Sequence, residues 1–226
     1  MKNGYSNNAK QWIIAVIVVG LVYALFNSFN QGIADIYKES AVKQMQSWEG
    51  SGHVIDSKQW DQAFESIHQA LKHYPNNPEY YSLLGRLYQW KVYQRPINSR
   101  IALENFQQAL DYYHQSLAVR PSYAFDWANV ALMKSRLSEV DTAFYSAVNK
   151  AWTYGQWEPE IQLKLADALL SVWYLLDDKH WNQLVTIVEQ GLASYPKEIM
   201  RIASQVKVLN KLCGKLRRTE IMLTYC

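Results

Sequence analysis

The sequence predicts an all-α protein: one N-terminal apolar helix able to cross a membrane, followed by an α-α superhelix of repeated helical hairpins. Three observations carry this. Trp12 to Phe26 is an apolar run without a charge. An eighteen-residue segment, Lys58 to Pro75, returns without a gap at Lys179 to Pro196. Nine Gly and six Pro in 226 residues suit long helices better than a turn-rich β sandwich.

The apolar run WIIAVIVVGLVYALF is followed by Asn27, Ser28 and Phe29. Eighteen helical residues span about 27 Å, enough for a thin hydrocarbon core. Trp12, Tyr23 and the Phe residues suit interfacial positions. A cleavable signal peptide shares the early charges and the apolar core. It also needs a small-x-small cleavage site, and Phe26-Asn27-Ser28-Phe29-Asn30 supplies a poor one. An uncleaved anchor fits better. Lys2, Lys10 and the amino terminus precede the run, whereas Asp35, Lys38, Glu39 and Lys43 after it nearly cancel. The positive-inside bias therefore places the tail in the cytoplasm and the main domain outside. In a Gram-negative cell this is a single-pass inner-membrane protein with a periplasmic domain. Residues 1–29 form the tail and anchor, 30–56 an amphipathic stalk and linker, and 57–226 the repeat domain.

Ile33, Tyr37, Ala41, Met45 and Trp48 recur at helical spacing, which makes the stalk amphipathic. Gly50-Ser51-Gly52 ends it. Helix then follows helix, with breaks at Pro75 to Pro78, Pro96, Pro121, Gly155 to Pro159, and Pro196.

The two copies of the repeated segment lie 121 residues apart. Lys58/Lys179, Trp60/Trp181, Gln62/Gln183, Gln69/Gln190, Leu71/Leu192, Tyr74/Tyr195 and Pro75/Pro196 are identical. Ala63, Ile67, Ala70 and Pro75 have the spacing of the second helix of a tetratricopeptide hairpin. Small residues there let two helices approach, and Pro ends the second. Tyr81, Leu84-Gly85 and Tyr88 give the first-helix pattern on one helical face. Ala109, Tyr113, Ser116 and Pro121 form the next second helix, with about twelve residues inserted around Gln89 to Ser99 relative to the 34-residue period. A third repeat starts at Trp127, Val130 and Ala131 and then decays. A fourth ends at Pro196. The last helix is expected to carry Lys207, Lys211, Lys215, Arg217 and Arg218 opposite Ile202, Val206, Leu209, Leu212 and Leu216.

Asp126-Trp127-Ala128-Asn129 followed by Gly155-Gln156-Trp157-Glu158-Pro159 resembles the VpsP-type polysaccharide biosynthesis proteins, envelope proteins of bacterial exopolysaccharide loci. That family also has an N-terminal membrane segment and a helical-repeat body. The resemblance implies a pathway and a compartment, and no reaction.

Chemistry-bearing patterns are sparse. His53, His68, His73, His114 and His180 include no i, i+4 pair and no HExxH, so no metal site is expected. Asp177-Asp178 and Glu158-Pro159-Glu160 are the closest carboxylate clusters. Sequence neighbours do not face one sugar across a cleft as a glycosidase requires. Asp177-Asp178 reads as a helix-end pair, and Glu158 to Glu160 as the acidic first turn of a helix starting near Pro159. No GxSxG, P-loop or dinucleotide fingerprint occurs, so neither catalytic nor cofactor-binding residues are expected. A net charge of +3 gives too little basic surface for a nucleic-acid partner. Cys213 and Cys226 can form a disulfide in an oxidising compartment or remain two free thiols.

Repeat stacks bind partners on the surface made by their first helices. The tetratricopeptide register exposes Glu79, Ser82, Arg86, Gln89 and Trp90, then Phe125, Ala128, Asn129, Leu132 and Arg136. Arg86, Gln89, Trp90, Asn129 and Arg136 are the candidate contact residues. The expected function is a non-enzymatic, membrane-anchored scaffold for envelope proteins of exopolysaccharide synthesis or export. A glycan-binding module of the same pathway, and a general envelope-assembly or secretion accessory, remain alternatives.

Overall fold

The computed structural model describes residues 4–51, 56–92, 96–217 and 224–226, with side chains from Lys10 onward except at Gly50 and Ser51. Lys2, Gly52, His53, Arg218 and part of the insertion near Gln89 to Ser99 lie outside the described residues. Every regular element among the described residues is helical. The chain divides into two compact units, up to Tyr80 and from Tyr81.

The first unit holds α1 (Gly4–Ser51) and α2 (Ser57–His73), and α3 (Pro78–Lys91) starts within it. α1 is a single helix of 48 residues. Its first half contains an 18-residue window of mean hydropathy 2.2, none of it buried. Trp12 is 74% exposed and Phe29 66%. That is long and apolar enough to cross a membrane. The second half changes character. Ala34, Ala41, Met45 and Trp48 are buried and form one stripe, which packs on α2. Trp60, Ala63, Ile67 and Ala70 supply the α2 side. The predicted stalk is therefore one arm of a helical hairpin. Trp48 Nε1 donates to Gln59 Oε1 at 3.3 Å, and Tyr37 stacks on His73 near the other end. These two contacts make the hairpin antiparallel.

The second unit contains most of α3, then α4 (Arg100–Val119), α5 (Ala124–Arg136), α6 (Thr142–Gly155), α7 (Pro159–Ser171), α8 (Asp178–Gly191), α9 (Pro196–Gln205) and α10 (Leu209–Cys213), with a 3-10 turn at Trp173–Leu175. The small-residue pattern works as expected. Ala109, Tyr113 and Ser116 have no exposed surface. A Cβ on Gly85 would lie 2.7 Å from the Tyr113 ring, so glycine is what lets α3 and α4 meet there. The 121-residue repeat extends to the caps. Asp56 caps α2 through Lys58 N–H, and Asp177 caps α8 through His180 N–H.

Two boundaries differ from expectation. The third repeat does not decay: α5 and α6 form a full hairpin. Its turn carries no Gly or Pro signal. Ser138 takes a left-handed φ of 60°, and Glu139 N–H closes back on Lys134 O at 2.9 Å. The final basic helix is interrupted in the same way. Lys207 has φ 59°, and Val208 N–H reaches Ala203 O at 2.9 Å. Both are Schellman closures, in which a left-handed residue ends the helix. The basic side chains then serve packing. Lys211 Nζ lies 4.3 Å from the centre of the Trp181 ring, and Arg217 pairs with Glu189 at 2.8 Å. Cys213 and Cys226 are bonded to each other, with Cα atoms 5.8 Å apart.

Candidate functional site

The site is built on three helices of the second unit: α3, α5 and α7. Short connections reverse the chain twice between α5 and α7, so these two helices run parallel. Hydrogen bonds fix the register. Ser82 on α3 donates to Asp126 Oδ2 on α5 at 2.6 Å. Ser116 on α4 donates to the same oxygen at 2.5 Å. At the other end of α5, Arg136 donates to Asp167 Oδ2 and Ser171 Oγ on α7, each at 2.6 Å. Helical spacing then sets the level between the two anchor points. Arg86 lies one turn past Ser82, Asn129 about one turn past Asp126, and Lys164 about one turn before Asp167. Arg86 and Asn129 thus lie near one level, and Lys164 lies closer to the Arg136–Asp167 end.

Arg86 and Asn129 each lie about one turn from the Ser82–Asp126 bond, while the other sequence candidates are engaged elsewhere. Gln89 donates to the Tyr113 hydroxyl and holds that buried ring in place. Arg136 is a clamp between α5 and α7. Trp90 is half-buried near the end of α3. The exposure expected for the α5 positions is not found. Ala128 has no exposed surface, Asn129 is 6% exposed and Leu132 8%. The reason is packing: α5 contacts α4, α6 and α7 together, which leaves little of its circumference free.

Lys164 is a residue the sequence reading missed. Its stripe on α7, at Glu160, Lys164, Asp167 and Ser171, resembles an ordinary solvated charged face. In the structure the residue is half-buried and its ammonium is desolvated by the helices around it. This pushes its pKa below the ordinary lysine value, with the like charge of Arg86 adding to the effect. Glu160, Asp167 and Asp126 oppose that shift. Asp126 is buried, and burial raises its carboxyl above the usual range against the two serine hydrogen bonds. The buried Tyr113 hydroxyl is also pushed up, first by burial and then by the Asp126 charge.

Among the described residues, His68, His73 and His180 have local partners. His68 Nδ1 lies 3.0 Å from Phe64 O, and burial lowers the pKa of His114. His180 stacks on Tyr145 at 3.7 Å and bonds Asp177. The described residues contain no His, Cys, Asp or Glu group able to hold a metal ion. Glu158 to Glu160 opens α7 as expected, with Pro159 in its first turn.

Paired antiparallel helices with small residues at their crossings give an all-helical fold of tetratricopeptide-like architecture. Residues 27–134 match the family described as Tetratricopeptide Repeats-Sensor. That match starts inside α1 and ends in α5, so it includes the hairpin of α1 with α2. Among solved structures, a thermophilic TPR protein of Thermus thermophilus is 18% identical. It aligns over 77% of this chain and 99% of that one, with a TM-score of 0.39. No curated protein matches the chain.

Proposed function

We propose that the protein is a membrane-anchored, non-catalytic scaffold that docks protein partners on the α3–α5–α7 face. The observation that carries this is the placement of Arg86, Asn129 and Lys164 on α3, α5 and α7, the first helices of successive hairpins. Tetratricopeptide-type repeats bind proteins with that surface. The apolar half of α1 serves as the anchor. Burying each of its large side chains in hydrocarbon contributes about 1.5–3 kcal/mol, so the uncovered helix has a strong preference for a bilayer.

The domain lies outside the cytoplasm in this reading. Lys2 and Lys10 favour a cytoplasmic tail. A Cys213–Cys226 bridge agrees, because disulfides persist in oxidising compartments. The pathway is exopolysaccharide synthesis or export. It rests on the resemblance of the Asp126 to Asn129 and Gly155 to Pro159 blocks to VpsP-type proteins. The partners are envelope proteins of that pathway.

Affinity purification of the full chain in mild detergent, with mass spectrometry, tests this. Synthesis or export proteins should copurify, and Arg86→Ala combined with Lys164→Met should release them. Turnover of a lipid-linked sugar by the purified chain would overturn the scaffold reading. A C-terminal alkaline phosphatase fusion tests orientation: activity places the domain outside, and inactivity reverses the topology.

A further inference from the structure

The second helices α6 and α8 line a groove of about 470 Å³ to which α3, α5 and α7 contribute nothing. It lies beyond residues 27–134, the part that matches the repeat family. Two contacts join the helices along it. Tyr145 stacks on His180 with ring centres 3.7 Å apart, and Gln183 donates to Asn149 Oδ1 at 2.9 Å. The polar groups of the lining are left uncommitted. Exposed hydroxyls on other helices turn back on their own backbone: Ser47 to Gln44 O, Ser66 to Gln62 O and Thr186 to Asn182 O, the usual local bond of Ser and Thr in a helix. Among the described residues, Ser146 and Thr153 form no such bond, and both line the groove. Asn149 has its Oδ1 taken by Gln183, which leaves its amide N–H groups to donate. Tyr154 is 52% exposed and lines the same groove near the end of α6. Two ammonium groups complete the lining. Lys150 Nζ is held 3.9 Å from the centre of the Trp127 ring, and Lys179 is exposed. From Thr142 to Trp157 the chain has no acidic residue. The Asp177 carboxylate is committed to the His180 N–H and ring, at 2.9 and 2.7 Å.

From this lining we infer that the α6–α8 groove binds an acidic saccharide, a short run of sugar rings bearing carboxylates. Sugar hydroxyls both donate and accept, so they satisfy the Ser146 and Thr153 hydroxyls and the Asn149 amide together. The C–H face of a ring covers Tyr154, whose side chain has an apolar body and a polar tip. The carboxylate is the counter-charge for Lys150 and Lys179. The stretch from Thr142 to Tyr154 runs about 18 Å at 1.5 Å per residue, room for more than one ring. Other occupants fit less well. A partner helix needs an apolar stripe to bury against, and Ser146, Asn149, Lys150 and Thr153 present a polar one. A nucleic acid needs cations along a track, whereas here two lysines flank neutral hydroxyl and amide groups. The inference adds a second kind of ligand to the docking reading and does not depend on it.

Isothermal titration of the full chain in a sugar-free detergent tests this. The probes are oligosaccharides of galacturonate, glucuronate, guluronate and mannuronate, each beside its carboxyl-reduced counterpart. At least one uronate should bind about tenfold tighter than its reduced form at low salt. Lys179→Gln should remove most of that preference, and Lys179→Arg should retain it. Tyr154→Ala should weaken the acidic and the reduced forms alike. Both positions are exposed, so the melting temperature should stay at the wild-type value, which separates lost recognition from lost folding. Absence of binding by all four uronates overturns the site. So does uronate binding that neither Lys179→Gln nor Tyr154→Ala reduces, or tighter binding of tripolyphosphate or oligothymidylate than of every uronate. None of these residues lies on α3, α5 or α7, so failure here leaves protein docking intact, and failure of the copurification experiment leaves this site intact.

Discussion

At the scale of single residues, a desolvated charge works against stability on the α3–α5–α7 face. Lys164 titrates below its unfolded value, so the folded chain binds fewer protons than the unfolded chain between those two pKa values. Stability then rises with pH through that interval. Lys164→Met should be more stable than wild type near neutrality, and the gap should narrow as pH climbs toward about 10, the ordinary lysine range. Paired chemical denaturation curves across that range measure it; a gap independent of pH would show that Lys164 is not desolvated. The charges acting on Lys164 are Arg86 on α3, Asp126 on α5, and Glu160 and Asp167 on its own helix. Gly85 illustrates the opposite case, a residue used purely for packing. Its missing Cβ would sit 2.7 Å from the carbons of Tyr113, a ring with no exposed surface. Gly85→Ala gains helix propensity of up to about 1 kcal/mol and loses about 1–3 kcal/mol to overpacking. The expected net is destabilisation, read as a lowered melting temperature.

At the scale of elements, the ends of helices decide where hairpins form. Lys207 closes α9 in the left-handed region, which costs a non-glycine residue about 1–2 kcal/mol. Lys207→Gly should therefore stabilise the chain by up to about 1 kcal/mol, measured as a raised midpoint in denaturant. Asp141 caps α6 by accepting the Phe144 N–H at 2.8 Å, and its carboxylate also pairs with the nearly buried Lys134 at 3.1 Å. The Phe144 hydrogen bond is the main reason its pKa lies below the usual range. That stabilisation is present above the unfolded pKa and is lost as pH falls through the folded one. Asp141→Ala should cost about 1 kcal/mol from the lost cap. The loss should vanish in strong acid, where the wild-type carboxyl is also protonated. At the three small-residue crossings, Gly85, Gly155 and Gly191, a side chain of the facing helix occupies the space a Cβ would need. Two of the three came directly from the repeat pattern.

At the scale of the whole molecule, each of the two units has its own buried set. The first centres on Met45, Ile67 and their alanines. The second runs from Val92 to Leu216. The uncovered apolar half of α1 contributes to neither. On the anchor reading proposed above, the full chain should fractionate with membranes and deletion of residues 1–29 should move it to the aqueous phase, with little change in helical signal per remaining residue. Circular dichroism with membrane fractionation checks this. Persistent membrane association of the truncated chain would mean that another surface, and not α1, holds the protein there.

The sequence by itself determined the helical class, the apolar span, the breaks at proline and the small-residue crossings. These are local properties: periodicity, chain stiffness and side-chain volume act over a few residues and are written where they act. Trp60 and Trp181, Ala63, Ala109 and Gly85 were legible for that reason. The tertiary structure alone decided the rest. The Schellman ends at Ser138 and Lys207 carry no glycine, because neighbouring packing holds an ordinary residue in a left-handed turn. Asn129 looked like a surface position until α4, α6 and α7 closed around α5. Lys164 looked like one charge of a solvated stripe. Its lowered pKa depends on the helices packed around it and on Arg86 and Asp126, up to 78 positions away. Desolvation is a sum over everything packed around a group, so no local pattern in the chain can announce it.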